Sequence, residues 1–193
     1  MIIGITGGTG CGKTTLLECI RDAGGMILDC DAIYHQLLET DRQMLTAIGE
    51  RFPGTVEQGV LNRKKLGQIV FADSQALLDL NGITHAAVRE YVLCKLKTNP
   101  ALAAIDAIAL FESGLAELCD VTVAVMAPLE IRVKRLMKRD GIEESYARSR
   151  IQAQPDESWF RQRCDYVIEN NGSFQHFASN CVAFLQSLDI IKQ

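Results

Sequence analysis

The sequence predicts an α/β fold with a five-stranded parallel sheet, and three observations support this prediction. An apolar run at residues 1–6 enters a glycine-rich loop, and a helical pattern of apolar residues follows at residues 14–23. Similar short apolar runs recur along the chain, and most of them are separated by helical patterns. The runs at residues 101–111 and 121–126 contain enough β-branched residues for buried parallel strands. The later predicted strands are residues 26–29, 101–111, 121–126 and 166–168.

The glycine-rich loop matches the pattern G-x-x-x-x-G-K-[ST], from Gly7 to Gly12, Lys13 and Thr14. In this pattern backbone N–H groups surround phosphate oxygens, the lysine reaches the β- and γ-phosphates and the hydroxyl binds Mg²⁺. The following helix adds its dipole to the anion site. The loop therefore predicts a P-loop nucleoside-triphosphate hydrolase fold, although a glycine-rich turn that matches by chance is the alternative. The expected nucleotide-binding residues are Gly8, Thr9, Gly10, Cys11, Gly12, Lys13, Thr14 and Thr15.

An acidic pair follows the second predicted strand, with Asp29 at its end and Asp31 directly after it. The carboxyl ends of the strands are where α/β sheets place ligands. We expect Asp31 to orient or deprotonate an acceptor hydroxyl, and a helix N-cap is the alternative role for it. We expect Asp29 to be structural. Residues 32–98 then show long helical patterns with no convincing strand, which indicates a helical insertion.

Asp106 interrupts the apolar run at residues 101–111. Burying a carboxylate is costly unless it is paired or contacts a metal ion through water. We therefore expect Mg²⁺ or a P-loop hydroxyl near Asp106. Residues 112–118 must supply the crossover to the next strand, and this segment is short for a helix.

Residues 129–151 are strongly basic and helical. Arg135 and Arg139 are one helical turn apart, so both guanidinium groups are expected to reach one phosphate chain as part of a lid. The alternative is a solvated helix whose arginines pair with Glu143 and Glu144. After the last strand, a turn that begins at Asn170 is a candidate for the adenine site or a turn without function, and residues 174–188 predict a closing helix.

Composition restricts the possible partners. The chain has 193 residues, 48% of them hydrophobic, with a net charge of −4, which suits one compact domain and a small anionic ligand. Nucleic acid and anionic membranes are disfavoured by this charge. Seven cysteines are scattered without a C-x-x-C pair, and we expect them to be reduced and buried. The start of the sequence has no leader pattern, so we expect a cytoplasmic protein.

A P-loop alone is compatible with hydrolases, switches and kinases. The GTPase base-reading signature N-K-x-D is absent, which disfavours a switch. An acid after the second strand, a helical insertion and a late basic segment together are the layout of a small phosphoryl-transfer kinase. In such a kinase the basic segment spreads positive charge around the transferring group.

The chain resembles the dephospho-coenzyme A kinase family over nearly its whole length. The early matching elements include the loop at residues 4–14, D-x-D-x-I at Asp29 to Ile33, G-x-L-x-R ending at Arg63, V-F at Val70-Phe71, L-N-x-I-T-H ending at His85 and L-F-E ending at Glu112. The later elements are R-x-x-x-R-D at Arg135 to Asp140, R-I-x-x-Q at Arg150 to Gln154 and D-Y-V-I-x-N at Asp165 to Asn170. The chain departs from the family pattern at His35, Asn62, Ala86 and Ile108, where the family has arginine, aspartate, proline and proline.

The resemblance implies ATP- and Mg²⁺-dependent phosphorylation of the ribose 3′-hydroxyl of dephospho-coenzyme A. It places Asp31 at that hydroxyl and Arg139 at the migrating charge. It also implies acceptor contacts from Arg63, His85 and Glu112. A kinase for another nucleoside or nucleotide and a regulator that binds nucleotide without turnover are the alternatives. The expected single domain has a core at 1–31, 99–129 and 156–193, an acceptor insertion at 32–98 and a lid at 130–155.

Overall fold

The structure, a computed structural model, describes residues 1–191. Two compact units are present, and each is described by itself. The first contains Met1–Leu28 and the described part of Pro100–Gln193, and the second contains Asp29–Asn99. Residues 192–193 of the predicted core segment 156–193 lie outside the described part of the chain.

The strands of the described chain are β1 (Ile2–Thr6), β2 (Met26–Asp29), β3 (Val56–Glu57), β4 (Val60–Leu61), β5 (Ala103–Asp106), β6 (Val121–Met126) and β7 (Tyr166–Glu169). Five of them form one sheet in the order β2-β5-β1-β6-β7, and the other two form a separate hairpin. The strand β1 pairs in parallel with both β5 and β6, and β6 pairs in parallel with β7. The predicted five-stranded parallel sheet is thus confirmed.

Helices surround this sheet and make up most of the second unit. A short 3₁₀ helix, Leu115–Leu118, lies between β5 and β6, so turns and this 3₁₀ helix, and no α-helix, supply the connection. The α-helices are α1 (Lys13–Asp22), α2 (Cys30–Thr40), α3 (Arg42–Arg51), α4 (Arg63–Val70), α5 (Ser74–Leu96), α6 (Leu129–Asp140), α7 (Glu144–Gln152), α8 (Glu157–Arg163) and α9 (Phe174–Ser187).

The core of the first unit lies between the sheet and the helices α1 and α9. Ile3 and Ile5 of β1 are completely buried, and so are Leu16 of α1 and Leu185 of α9. Burial of one such side chain contributes roughly 1.5–3 kcal/mol, so this core fixes the start of α1 against the sheet. The P-loop between β1 and α1 is therefore anchored at both of its ends.

The register of the sheet places the P-loop beside the end of β5. Ile5 is paired with Asp106, the last residue of β5, and Thr6 is paired with Ala124 of β6. Because parallel strands end at the same edge, the loop after Thr6 starts where Asp106 leaves the sheet.

The second unit is a set of helices in which α5 packs against α2, α3 and α4. Its buried residues on α5 recur every four positions, which gives the helix one continuous apolar face. Ala86 stands within this helix, where the family has proline, and α5 continues through it. The buried positions of α5 are Ala76, Leu80, Thr84, Val88 and Val92.

Asn62 explains another departure from the family pattern. Its side-chain oxygen accepts a hydrogen bond from the backbone N–H of Lys65 at 3.0 Å and caps α4. Because asparagine and aspartate are equally good N-caps, the exchange at position 62 preserves the start of this helix.

The predicted boundaries need four corrections. The prediction of no strand in residues 32–98 is wrong, because a hairpin of two-residue strands turns at Gln58 and Gly59, both with positive φ. The strand predicted at residues 101–111 covers only Ala103–Asp106, and the following residues form turns. The basic segment is two helices that separate at Gly141, which has a φ of 64°. The helix α8 was not predicted.

The cysteine prediction is only partly right. All seven cysteines are free thiols, but only Cys11, Cys30 and Cys181 are buried, and Cys94 is exposed on α5. Burial raises the pKa of Cys119 and of Cys181 to about 12, which keeps both thiols protonated. Among the described residues, no helix combines the length and apolar character required to span a bilayer.

Candidate active site

The P-loop packs against the protein's own side chains. A Cβ atom added at Gly8 would overlap the guanidinium group of Arg132, and one added at Gly12 would overlap the side-chain amide of Asn170. Gly12 also has a φ of 97°, which favours glycine. A larger residue at Gly8 or Gly12 would therefore displace the side chain of Arg132 or Asn170 from the loop.

Two arginines of α6 bind the carbonyl groups on the outer side of the loop. Arg132 Nε donates to the Thr9 carbonyl at 2.9 Å. Arg135 Nη1 donates to the carbonyls of Gly10 and Cys11 at 3.1 and 3.2 Å. The N–H group of each peptide points opposite to its carbonyl, so the Gly10 and Gly12 N–H groups, which follow the Thr9 and Cys11 carbonyls, are directed away from these cations, toward the site of the expected anion.

Asn170 completes this support from the end of β7. Its Nδ2 donates to the Cys11 carbonyl at 2.8 Å, and its Oδ1 accepts from Arg135 at 3.1 Å. The residue is only 4% exposed, so both bonds are shielded from water. Asn170 thus holds the P-loop, and a contact between its turn and adenine stays a prediction.

The N–H groups of the loop fall into two classes. Thr9 and Cys11 donate within the protein, to Gln154 Oε1 and to the Gly8 carbonyl. Within residues 1–191, four other N–H groups, in the second half of the loop and the first turn of α1, donate to no protein acceptor. Such groups at a helix N-terminus form an anion site. These open N–H groups belong to Gly10, Gly12, Lys13 and Thr14.

Three predicted nucleotide contacts have defined environments. Lys13 Nζ donates to the Gly7 carbonyl at 3.1 Å, so the ammonium group lies over the loop. The Cys11 side chain is 3% exposed, as expected of a small filler residue. The backbone N–H of Thr15 donates to the Gly12 carbonyl at 3.3 Å, which leaves only its side chain for ligand contacts.

Thr14 and Asp106 are the predicted Mg²⁺ residues. Thr14 is exposed in the first turn of α1, and Asp106 is partly buried at the end of β5. Among the described residues, no cluster of three or more His, Cys, Asp or Glu side chains is suited to a metal ion. A hydroxyl and one carboxylate nevertheless fit Mg²⁺, which keeps several waters and takes its other ligands from substrate phosphates.

Arg139 lies in a different environment from Arg135. Its Nε and Nη2 donate to the two carboxylate oxygens of Asp140 at 2.6 and 3.0 Å, and Arg150 also donates to Asp140 at 2.7 Å. The hydrogen bond from Arg139, and next that from Arg150, lower the pKa of Asp140 to about 2. The Arg139 side chain is 61% exposed. The structure therefore brings Arg135 to the P-loop and leaves Arg139 in an ion pair at the end of α6.

Asp31, the candidate acceptor residue on α2, lies in the first turn of this helix. Asp29 caps this helix by accepting from the Ala32 N–H at 3.0 Å, so the cap role considered for Asp31 belongs to Asp29. Asp31 is exposed in the first helical turn. One turn later, burial raises the pKa of Tyr34, and the charge of Arg63 opposes this shift. Asp31 thus has a carboxylate open to solvent.

The two remaining acceptor candidates lie on other elements. His85 is partly buried within α5 of the second unit. Glu112 is exposed in the turn after β5, in the first unit. The structure does not group Glu112 with the loop-binding side chains, and both contacts with an acceptor stay predictions.

Gln154 and Arg132 were not among the predicted site residues, although both contact the loop directly. Gln154 stands in the R-I-x-x-Q element, and that element was the available signal for it. Arg132 was one of several arginines in a basic helix, and no local pattern separates it from its neighbours.

Known proteins are similar to this chain in sequence. A protein-family model for dephospho-CoA kinase matches residues 1–176. The dephospho-CoA kinase of Syntrophotalea carbinolica is 36% identical, over 97% of this chain and 92% of its own. The enzyme of Helicobacter pylori strain J99 is 35% identical, over 96% of each chain.

Solved structures agree with these matches. The crystal structure of TT1252 from Thermus thermophilus has a TM-score of 0.83 at 33% identity, with 97% of each chain covered. Dephospho-CoA kinase from Campylobacter jejuni has a TM-score of 0.68 at 28% identity, over 97% of this chain and 96% of that one. Shikimate kinase from Bacteroides thetaiotaomicron, at 16% identity and a TM-score of 0.58, shares the fold. With a P-loop of this geometry and a family match over most of its length, the chain belongs to the dephospho-CoA kinase family.

Proposed function

We propose that this protein transfers the γ-phosphoryl group of ATP to the ribose 3′-hydroxyl of dephospho-coenzyme A, giving coenzyme A and ADP in the last step of coenzyme A biosynthesis. The observation that carries the proposal is the run of open N–H groups at the start of α1, in a member of this family. Those groups support a binding site for a polyphosphate, and the family match supports dephospho-coenzyme A as the acceptor.

The donor side uses the P-loop. The open N–H groups of Gly10, Gly12, Lys13 and Thr14 bind the phosphate chain. Lys13 Nζ exchanges its bond to the Gly7 carbonyl for the β- and γ-phosphate oxygens, where a charged donor is worth more than at a neutral carbonyl. Gly8, Thr9, Cys11, Thr15 and Asn170 complete the proposed nucleotide site.

Thr14 and Asp106 hold Mg²⁺, directly or through water. When bound, the ion neutralises charge on the phosphate oxygens during transfer. The hydroxyl of Thr14 at the helix start and the carboxylate of Asp106 at the sheet edge support this assignment.

Asp31 acts on the acceptor. Its exposed carboxylate takes the proton of the 3′-hydroxyl as the oxygen forms its bond to the γ-phosphorus. The bond between that phosphorus and the β–γ bridging oxygen breaks, and the electron pair leaves with ADP. Arg63, His85 and Glu112 bind the acceptor, and residues 32–98 form the acceptor insertion.

The lid, residues 130–155, closes over the nucleotide. Arg135 is already bound to the loop, and Arg139 exchanges Asp140 for the phosphoryl group. A guanidinium group at the migrating charge stabilises the transition state more than the ground state. The exposure of the Arg139 side chain supports this movement.

The partners are ATP, Mg²⁺ and dephospho-coenzyme A. The net charge of −4 supports a role without nucleic acid or membrane contacts. The free thiols of all seven cysteines support a cytoplasmic location, where disulfides are rare.

An acceptor panel tests this function. ADP release is measured with dephospho-coenzyme A, with nucleosides and nucleotides, and without acceptor. The proposal predicts release that depends on dephospho-coenzyme A. Faster turnover with another nucleoside would favour a different kinase, and nucleotide binding without ADP release would favour a regulator.

A further inference from the structure

Gln154 and Arg132 together hold the Thr9 peptide at both of its polar groups. Gln154 Oε1 accepts from the Thr9 N–H at 2.8 Å, and Arg132 Nε donates to the Thr9 carbonyl at 2.9 Å. The two side chains are also bonded to each other, since Arg132 Nη2 donates to the same Oε1 at 2.9 Å. A single oxygen therefore receives one backbone donor and one charged donor.

This arrangement determines where the anion site begins. The Thr9 N–H is occupied by Gln154, whereas the Gly10 N–H has no acceptor within residues 1–191. The guanidinium group of Arg132 also lies against Gly8, where a Cβ atom would overlap it. The Thr9 peptide is thus fixed from outside, and the next N–H group along the loop, that of Gly10, stays open to a ligand.

Gln154 also connects two parts of the first unit. It follows α7, the second helix of the basic segment, by two residues, and its side chain reaches the P-loop. Its backbone N–H donates to the Ile151 carbonyl at 3.1 Å, which ties the residue to the last turn of that helix. The exit of the lid is therefore bonded to the loop that binds the nucleotide.

We propose that Gln154 is a positioning residue that holds Thr9 and Arg132 so that the phosphate-binding N–H groups start at Gly10. The effect is on nucleotide binding and not on the acceptor. The choice of nucleotide and acceptor rests on the function proposed above, but the geometry of the loop does not.

Gln154→Met tests this role, because methionine keeps the length of the side chain and lacks a strong acceptor. Thr9 then loses its hydrogen bond, and its amide is expected to exchange at least about tenfold faster in the ligand-free protein. KM for ATP should rise roughly five- to tenfold, which corresponds to one net hydrogen bond. KM for dephospho-coenzyme A should stay within about twofold.

Gln162→Met is the matched control, since Gln162 is exposed in α8, outside the lid. It should change none of these quantities. Gln154→Glu keeps an acceptor for both donors and should restore slow exchange at Thr9. Gln154→Asn, one methylene shorter, should behave as Gln154→Met and replaces it if the methionine variant does not fold.

A double-mutant cycle that combines Gln154→Met with Arg132→Met measures the coupling between the two side chains. Because both side chains act on one peptide, the loss of ADP affinity in the double variant should be smaller than the sum of the single losses. Unchanged Thr9 exchange in Gln154→Met, equal rises in both KM values, or additive losses would overturn the proposal. Exchange and ADP binding are measured without acceptor, so they remain informative even if dephospho-coenzyme A is not phosphorylated.

Discussion

The nucleotide side and the acceptor side differ in how their candidate residues are held. Around the P-loop, Arg132, Arg135 and Asn170 are bonded to loop carbonyls, and Asn170 is buried. In the helical unit, Asp31 and Arg63 are exposed at the starts of their helices. We therefore expect a nucleotide site that is built before a ligand arrives, and acceptor residues that become ordered when the substrate binds.

This difference has an energetic consequence. Preorganised donors cost little reorganisation during the reaction, so most of the electrostatic stabilisation is expected from the loop. Ordering an exposed long side chain costs up to about 2 kcal/mol, which the acceptor's binding energy must offset. Substitutions on the two sides should therefore separate into effects on kcat, on ATP affinity and on stability.

The largest expected effect is that of Asp31→Asn. Removing a general base typically lowers kcat by about 10²–10⁴-fold, while KM for ATP should change little because Asp31 acts on the acceptor. Steady-state kinetics with each substrate varied gives both values. A loss confined to ATP affinity would place Asp31 on the nucleotide side.

Asp29→Asn is the control for Asp31→Asn. It removes a neighbouring charge but keeps the cap on α2, because asparagine is an equally good N-cap. Its kcat should stay within a small factor of the wild-type value.

Lys13→Ala should lower kcat/KM by about 10²–10³-fold, the usual result of removing one charged donor from a developing negative charge. Among the described residues, the side chain donates a hydrogen bond only to the Gly7 carbonyl, so circular dichroism and thermal unfolding should stay near wild type. Lys138→Ala, at an exposed position of α6, is the control. Near-normal turnover in a folded Lys13→Ala variant would contradict the assignment of this loop as the phosphate-binding P-loop.

Arg135→Met and Arg139→Met separate the two ends of α6. Loss of the Arg135 bonds to the loop should lower the free energy of unfolding by about 1.5–3 kcal/mol and weaken ADP binding. Arg139→Met should lower kcat/KM and leave stability nearly unchanged, because Arg139 forms only a solvent-exposed ion pair with Asp140. Urea unfolding and kinetics are measured together. The opposite pattern would reverse the roles given to the two arginines.

Hydrogen exchange gives the smallest but most local comparison. Residues 136–150 should exchange more slowly when a non-hydrolysable ATP analogue binds, because the analogue supplies a counter-charge for Arg139. The Thr9 amide should already be slow without nucleotide, since it is bonded to Gln154. If exchange at residues 136–150 is already slow in the empty protein and the analogue does not change it, these residues belong to two rigid helices and not to a lid.

The sequence was sufficient for features that depend on local pattern. The P-loop, the parallel sheet and the helical insertion follow from glycine spacing and apolar periodicity, and the observed strands agree in order and direction. The hairpin at Gln58 was missed because two-residue strands have no measurable alternation. The strand at residues 101–111 was overextended, because apolar turn residues resemble strand residues.

The local sequence pattern could not predict contacts between residues that are far apart in the chain. Gln154 and Thr9 are 145 residues apart in the chain, and Asn170 and Cys11 are 159 apart. Arg135 and Arg139 are one helical turn apart, which predicted a shared target. In the structure two loop carbonyls bind Arg135, and Asp140 binds Arg139. Helical spacing determines which face a residue shares, and the neighbouring elements determine what it binds.

The most direct measurement identifies the bond that is made. The protein is incubated with ATP, Mg²⁺ and dephospho-coenzyme A, and the products are analysed by mass spectrometry and by phosphorus and proton NMR. We predict one ADP for each new phosphate ester, with the ester on the ribose 3′-oxygen. ADP formed without an ester, or an ester at another hydroxyl, would contradict phosphoryl transfer from this P-loop to that acceptor.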